Sequence, residues 1–381
     1  MRFKITIITV LAFSLSVIAQ EKPIKIADSL AAVGKHKEAI DLLRKVSPKS
    51  DNIYLKLAKF QQVEGKTEEA LENYRTALEK APGRVLTAQD YGELLLESGK
   101  IDLADSVFTS LSESYPDNAG FVFRLGLVKE KKKDSTAIKY FFKTLRKDFT
   151  HQGASYKAAK YYLKNGKSYN AISFCNSGLK ERPNNASLLS ILGQSYSSSL
   201  QFEKAIEPYE KLVALGEGSE FILEKLAKAY RISGQNDEAI ETYNKMLEIN
   251  DMNAAVHSNL GAIYLKKDEV EKAQEHFMKA LFINNQPVDS EYINLGLTYK
   301  RMEDYRSAYI SFQKALKENP DNERAQIELA LAADAHFDDK KAVLKLYEEF
   351  LQKNKDQGRK DMISIAEYRI SEIKKEIHLS E

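Results

Sequence analysis

Small residues recur along this chain at a fixed interval. Ala39, Ala70, Ala104, Ala137, Ala171, Ala205, Ala239, Ala273, Ala308 and Ala342 follow one another at spacings of 31, 34, 33, 34, 34, 34, 34, 35 and 34 residues. A second series keeps step with it: Ala27, Ala58, Gly92, Gly126, Ala159, Gly193, Ala227, Gly261, Gly296 and Ala330. Both share the short first interval and the long one near residue 290, which coincidence in an Ala-rich chain would not produce. A small side chain lets two helix axes approach closely. Large apolar residues surround each small one at helical spacing, in rows such as Leu192, Leu226, Leu260, Leu295 and Tyr74, Phe108, Phe141, Cys175, Tyr209, Tyr243, Phe277, Phe312. Each repeat therefore predicts two amphipathic helices.

Turn residues punctuate the same period. Gly34, Gly65, Gly99, Gly166 and Gly234 fall between the paired helices, where a turn uses positive φ. Pro82, Pro116, Pro183 and Pro320 fall between repeats, where the second helix must stop. The strings PDNA, PNNA and PDNE then place Asn or Asp where the next helix needs a cap. Two places depart from the rule. YSSSLQF (196–202) replaces a glycine turn, and KEKKKDS (129–135) is one residue short. Pro208 lies well inside a predicted second helix and is expected to kink it.

This pattern resembles the tetratricopeptide repeat, a helix–turn–helix unit of the same period with small residues at both positions. The segments 257–284 and 292–322 are close matches, and the resemblance covers nearly all of the chain after residue 19. One departure runs throughout: there is no Trp, so the large aromatic often found early in the first helix is replaced by Tyr54, Leu189, Leu223, His257 or Tyr292. The resemblance implies an all-α, right-handed solenoid of ten units, beginning near residues 20, 51, 85, 119, 152, 186, 220, 254, 289 and 323, the first degenerate. The repeats are read over 20–358. Residues 359–381 are read as a C-terminal capping helix with Met362, Ile365, Ala366, Ile370, Ile373 and Ile377 on its apolar face.

Residues 1–19 have a different character. Arg2 and Lys4 precede a 15-residue apolar stretch, Ile5 to Ala19, too short for a membrane span. Val17 and Ala19 suit a small-residue cleavage site, so a cleavable signal peptide and a periplasmic or secreted protein are expected, with an uncleaved anchor helix as the alternative. The whole chain carries a formal charge of +2. Loss of Arg2 and Lys4 leaves the remainder with no net charge, so nucleic acid is not an expected partner.

Candidate chemistry is sparse. A single cysteine excludes an internal disulfide and a cysteine-based zinc site. Cys175 stands at an aromatic-type core position and reads as a buried, inert thiol. The histidines form no H-E-x-x-H, and His257 occupies a packing position. No phosphate loop or nucleophile elbow is present, so neither enzymatic activity nor a cofactor or metal is expected.

Specificity is instead expected in a groove. The resemblance implies that the first helices line a concave face. It also implies that the second, fifth, ninth, twelfth and thirteenth positions of each unit meet a ligand. Phe123, Tyr156, Lys160, Lys164, Lys228 and Arg231 fall there, offering aromatic anchors and cations to a protein or peptide with acidic groups. A solvated lysine-rich face is the alternative. The carboxylate clamp used by some members of the family is not reproduced. The expected function is a protein-interaction scaffold of the cell envelope, reaching the membrane only through an envelope complex. The rival is a structural subunit of an envelope secretion or polysaccharide-export apparatus.

Overall fold

Asparagine starts several of the helices. In the computed structural model, which describes residues 20–284 and 289–380, Asn118 accepts hydrogen bonds from Gly120 N and Phe121 N. Asn185, Asn253 and Asn322 each accept one from the amide three residues on, as the PDNA-type strings imply. The expected leader, residues 1–19, lies outside the described residues.

Among the described residues the chain forms 21 helices and no strand. They come as ten pairs and one final helix. The first five pairs are α1 (20–32) with α2 (His36–Arg44), α3 (Asp51–Val63) with α4 (Thr67–Lys80), α5 (Val85–Glu97) with α6 (Ile101–Ser114), α7 (Ala119–Lys131) with α8 (Ala137–Lys147), and α9 (Gln152–Lys164) with α10 (Ser168–Leu179). Then come α11 (Ala186–Ser198) with α12 (Phe202–Ala214), α13 (Glu220–Ile232) with α14 (Asn236–Ile249), α15 (Ala254–Lys266) with α16 (Val270–Ile283), α17 (Asp289–Arg301) with α18 (Tyr305–Glu318), and α19 (Glu323–His336) with α20 (Lys340–Asn354). The last helix is α21 (Lys360–Ser380). The chain divides into two compact units, 1–195 and 196–381, and the boundary falls within α11.

The period has a steric cause inside each pair. The small position of the first helix meets the aromatic position of the second. A methyl group built on Gly92 would lie 2.9 Å from the Phe108 ring, on Gly126 2.8 Å from Phe141, on Gly261 2.8 Å from Phe277, and on Gly296 2.6 Å from Phe312. The partner alanines Ala104, Ala239, Ala273 and Ala308 are wholly buried, as are Phe108, Phe277 and Phe312. The ring fills the space that the missing side chain leaves, at the packing density of a protein interior.

Nine turns within pairs place one residue in the left-handed region. Five use Gly34, Gly65, Gly99, Gly166 and Gly234; the other four use Lys133, Leu200, Asp268 and Glu303 at φ values of 57°, 60°, 64° and 58°. The two turns that broke the sequence rule are thus built like the rest, with an L-residue carrying the glycine's conformation. α12 runs from Phe202 to Ala214 with the buried Pro208 inside it.

Two register expectations need correction. Ala342 is exposed and Val343 is buried in its place. The reason is α19, which has 14 residues where α17 has 13, so the last pair slips by one. On α21, Ile365 is 42% exposed. The buried stripe runs Met362, Ala366, Ile373 with Ile370 and Ile377 half-buried, and Ile363 joins it on the other flank. That stripe packs against Val343, Tyr347 and Phe350 of α20, covering the last pair.

Asp334, on α19, ties the cap down. Its carboxylate accepts from Arg369 Nε of α21 at 2.7 Å and from Lys340 Nζ at 3.1 Å. The Tyr347 hydroxyl lies 3.3 Å away. Burial raises the Asp334 pKa, but hydrogen bonds from the two cations outweigh it and hold the group below the ordinary carboxylate value.

Candidate functional site

Neighbouring first helices are stitched together by alternating charges. Lys56 of α3 reaches Asp28 of α1 at 2.6 Å, and Lys59 of α3 reaches Asp90 of α5 at 3.1 Å. Arg124 of α7 pairs with Glu93 of α5, and Lys157 of α9 with Glu130 of α7. These rungs are partly exposed and each contributes little to stability. Their value here is that they consume the charge of the face.

The pattern breaks after α9 and returns between α17 and α19, where Lys300 reaches Glu328 at 2.7 Å. Asn185, the cap of α11, donates to Gln152 Oε1 at the start of α9 at 2.8 Å, so α11 follows α9 in the stack. α11 has no carboxylate, and its polar residues bond to each other, as Gln194 Nε2 does to Ser190 Oγ at 3.1 Å. Lys160 and Lys164 are exposed, and among the described residues no carboxylate pairs with either. Lys160 lies over the half-buried Tyr156 ring, 5.7 Å from its centroid. The first unit thus brings Tyr156, Lys160 and Lys164 onto one stretch of α9.

Phe123 is placed differently. Its ring packs 4.6 Å from His151 and 5.6 Å from Phe141. A methyl on Gly153 would fall 2.5 Å from it, so the ring occupies the notch that this glycine leaves in α9. The residue is half-buried and cements α7 and α8 to α9.

In the second unit, Lys228 is exposed on α13, and among the described residues no carboxylate pairs with it. Arg231, one turn further, is half-buried, and its charge opposes the upward push that burial gives the pKa of the Tyr243 phenol. Earlier on the same helix lies a cleft of 350 Å³ between α13, α14 and α15. Tyr243, Met246 and Val256 line it below; Phe221, 46% exposed, and Glu224 stand at its edge. Its signal in the sequence was Phe221 and Glu224 at the second and fifth positions of their unit.

Other candidate groups are structural. Cys175 is wholly buried and its pKa is pushed up to about 12 by burial, which makes it an inert thiol. His257 and His276 meet inside one pair, Nδ1 to Nδ1 at 2.9 Å. His257 Nε2 lies 3.1 Å from the Asp251 carbonyl, which only accepts. Nε2 therefore carries the proton, and His257 Nδ1 accepts from His276 Nδ1–H. Among the described residues no group of three or more His, Cys, Asp or Glu side chains could hold a metal, and no helix is long and apolar enough to cross a membrane.

Family profiles match this chain in four places: the tetratricopeptide repeat at residues 63–121, 254–287 and 290–322, and the TPR repeat at 227–268. The chain carries tetratricopeptide repeats. Its repeats make it a protein-interaction scaffold. Among solved structures it is similar to YrrB, described as a TPR protein with an unusual peptide-binding site, at 17% identity and a TM-score of 0.44 over 49% of this chain and 95% of that one. A tetratricopeptide repeat protein from Parabacteroides merdae is 17% identical with a TM-score of 0.39, covering 65% and 98%. Yeast Tom70 is 15% identical with a TM-score of 0.41, covering 92% and 95%. No curated protein matches the tetratricopeptide-repeat chain.

Proposed function

We propose that this scaffold works in the cell envelope and holds an acidic segment of a partner protein on its first helices. The observation that carries the reading is the break in the charge pairing after α9. Along α1 to α9, Lys56, Lys59, Arg124 and Lys157 are each paired with a carboxylate of the neighbouring first helix. Lys160, Lys164 and Lys228 instead face solvent without a carboxylate partner, so their charge is available to a ligand. Tyr156 beside Lys160, and Phe221 at the cleft of α13, supply apolar area at low rotamer cost. The envelope location rests on the leader-like residues 1–19. The reading assigns no catalytic residue and no cofactor.

The test is charge reversal. Lys160→Glu, Lys164→Glu and Lys228→Glu together leave the fold intact, because all three side chains are exposed. The triple variant should lose partner binding mainly through a slower association rate, and its salt dependence should flatten. Unchanged affinity and salt slope for every partner captured from envelope extracts would refute the acidic-segment reading.

A further inference from the structure

Charge is distributed unevenly along this nearly neutral chain. Residues 129–182 hold fourteen lysines and arginines against four carboxylates, so the remainder is net negative. Part of this excess is on the inner helix α9, but a separate part is on the second helices. α8 and α10 contain no Asp or Glu at all, whereas α4, α6, α12, α14, α16, α18 and α20 each contain at least one. Lys139, Lys143, Arg146 and Lys147 recur at spacings of four, three and one on α8, which puts them on one stripe about 12 Å long. All four are exposed.

The neighbouring stripe on α10 continues the surface. Phe142 of α8 and Phe174 of α10 pack with ring centroids 5.8 Å apart, so the two helices are neighbours. Tyr169, Ser173 and Asn176 lie on the exposed side of α10, and the exposed Lys180 follows at its C-terminal end. Tyr169 is 72% exposed. Lys180 Nζ lies 5.2 Å from the ring of Phe149, which follows α8 and is 60% exposed. Nearby carboxylates are already engaged. Asp117 pairs with Lys147 at 3.5 Å, Asp148 and Glu181 bond Thr150, and Asp134 caps Thr136. Among the described residues no carboxylate pairs with Lys139, Lys143 or Arg146.

We infer that this outer face of α8 and α10 is a docking surface for a membrane bearing anionic lipid headgroups. The outward side of a helix is a ridge, which gives a polymer no groove to lie in, whereas a plane of phosphates meets every cation of such a stripe. Flexible lysines and arginine deliver charge to the headgroups while their stems cover apolar surface. Phe149 and Tyr169 flank the cations with the rings that favour the headgroup boundary. The attraction is worth about fivefold in affinity for each cation near an anionic surface. This surface is distinct from the residues assigned to the protein partner.

Vesicle co-sedimentation of the full chain tests it, with phosphatidylcholine vesicles against phosphatidylcholine containing phosphatidylglycerol. Residues 1–19, with Arg2 and Lys4, are common to parent and variants, so the comparison between them isolates the cations of α8. Binding should favour the anionic vesicles and weaken with salt. Lys139→Gln, Lys143→Gln and Arg146→Gln together should reduce it about a hundredfold, and Tyr169→Ala a few-fold. The Lys160, Lys164 and Lys228 charge reversal should retain the preference, which separates this inference from the partner reading. Circular dichroism confirms that each variant is folded; Lys139→Ala alone, with its smaller loss, serves if the triple variant is not. Equal binding to both vesicles would overturn the inference. So would an unchanged triple variant, or tighter binding of duplex DNA or polyglutamate through the same three residues.

Discussion

Replacing Gly296 by alanine tests the steric rule that sets the repeat. On an unobstructed helix this change stabilises, because alanine is the better helix former by about 1 kcal/mol. Here the added methyl would lie 2.6, 2.8 and 2.9 Å from three ring atoms of Phe312, well inside contact distance. Phe312 is wholly buried, so its ring has no solvent to retreat into. Relieving the clash means driving α17 and α18 apart or forcing the ring off its rotamer, at about 1–3 kcal/mol. The net expectation is a loss of about 1 kcal/mol, opposite in sign to the intrinsic preference. Phe312→Leu alone should cost about 1–2 kcal/mol through lost packing. In the double variant the smaller side chain makes room for the methyl, so the two losses should sum to less than their separate values. Urea unfolding followed by circular dichroism gives the three free energies, and hydrogen exchange shows whether the damage stays near α17 and α18. An alanine variant more stable than the parent, with no coupling to position 312, would refute the reasoning.

Asp334→Ala should release α21. It strips Arg369 and Lys340 of their shared acceptor, at a cost of about 2 kcal/mol given their partial exposure, and limited proteolysis should then cut between 355 and 359 while the earlier pairs resist. The His257–His276 contact predicts acid sensitivity. Burial is the main cause holding both imidazoles neutral, and His276 is lowered to about 4, so the unfolded chain binds protons that the folded one refuses as pH falls from 6.5 towards 4. Stability is therefore full above pH 6.5 and lost through that window. His276→Gln should flatten the pH dependence of the melting temperature there, and an identical profile would disprove the assignment.

Most of the architecture was legible because one steric requirement repeats. Gly92, Gly126, Gly261 and Gly296 each meet a ring about sixteen residues later, so a single pattern reports both the helix pair and its packing. What escaped the pattern depends on particular neighbours. The exposure of Ala342 follows from one extra residue in α19, visible only once that helix is counted. Phe123 was read as an anchor because its position names a helix face. Whether the next helix fills that face depends on Gly153, which leaves a notch for the ring. Asp334 and Arg369 lie 35 residues apart, and His257 and His276 19 apart, in pairings that no other repeat reproduces. The exposed cations at α9 were legible as residues. Their lack of partners depended on α11 having no acid.

The four turns built on Lys133, Leu200, Asp268 and Glu303 hold side-chain-bearing residues where five others use glycine. An L-residue in that conformation costs about 1 kcal/mol more than glycine does. These turns are therefore the weak seams of an otherwise monotonous array. Because each pair leans only on its neighbours, fraying should start at such seams rather than spread evenly from the ends. The backbone thus sets an order of opening along the chain that the uniform helix lengths conceal.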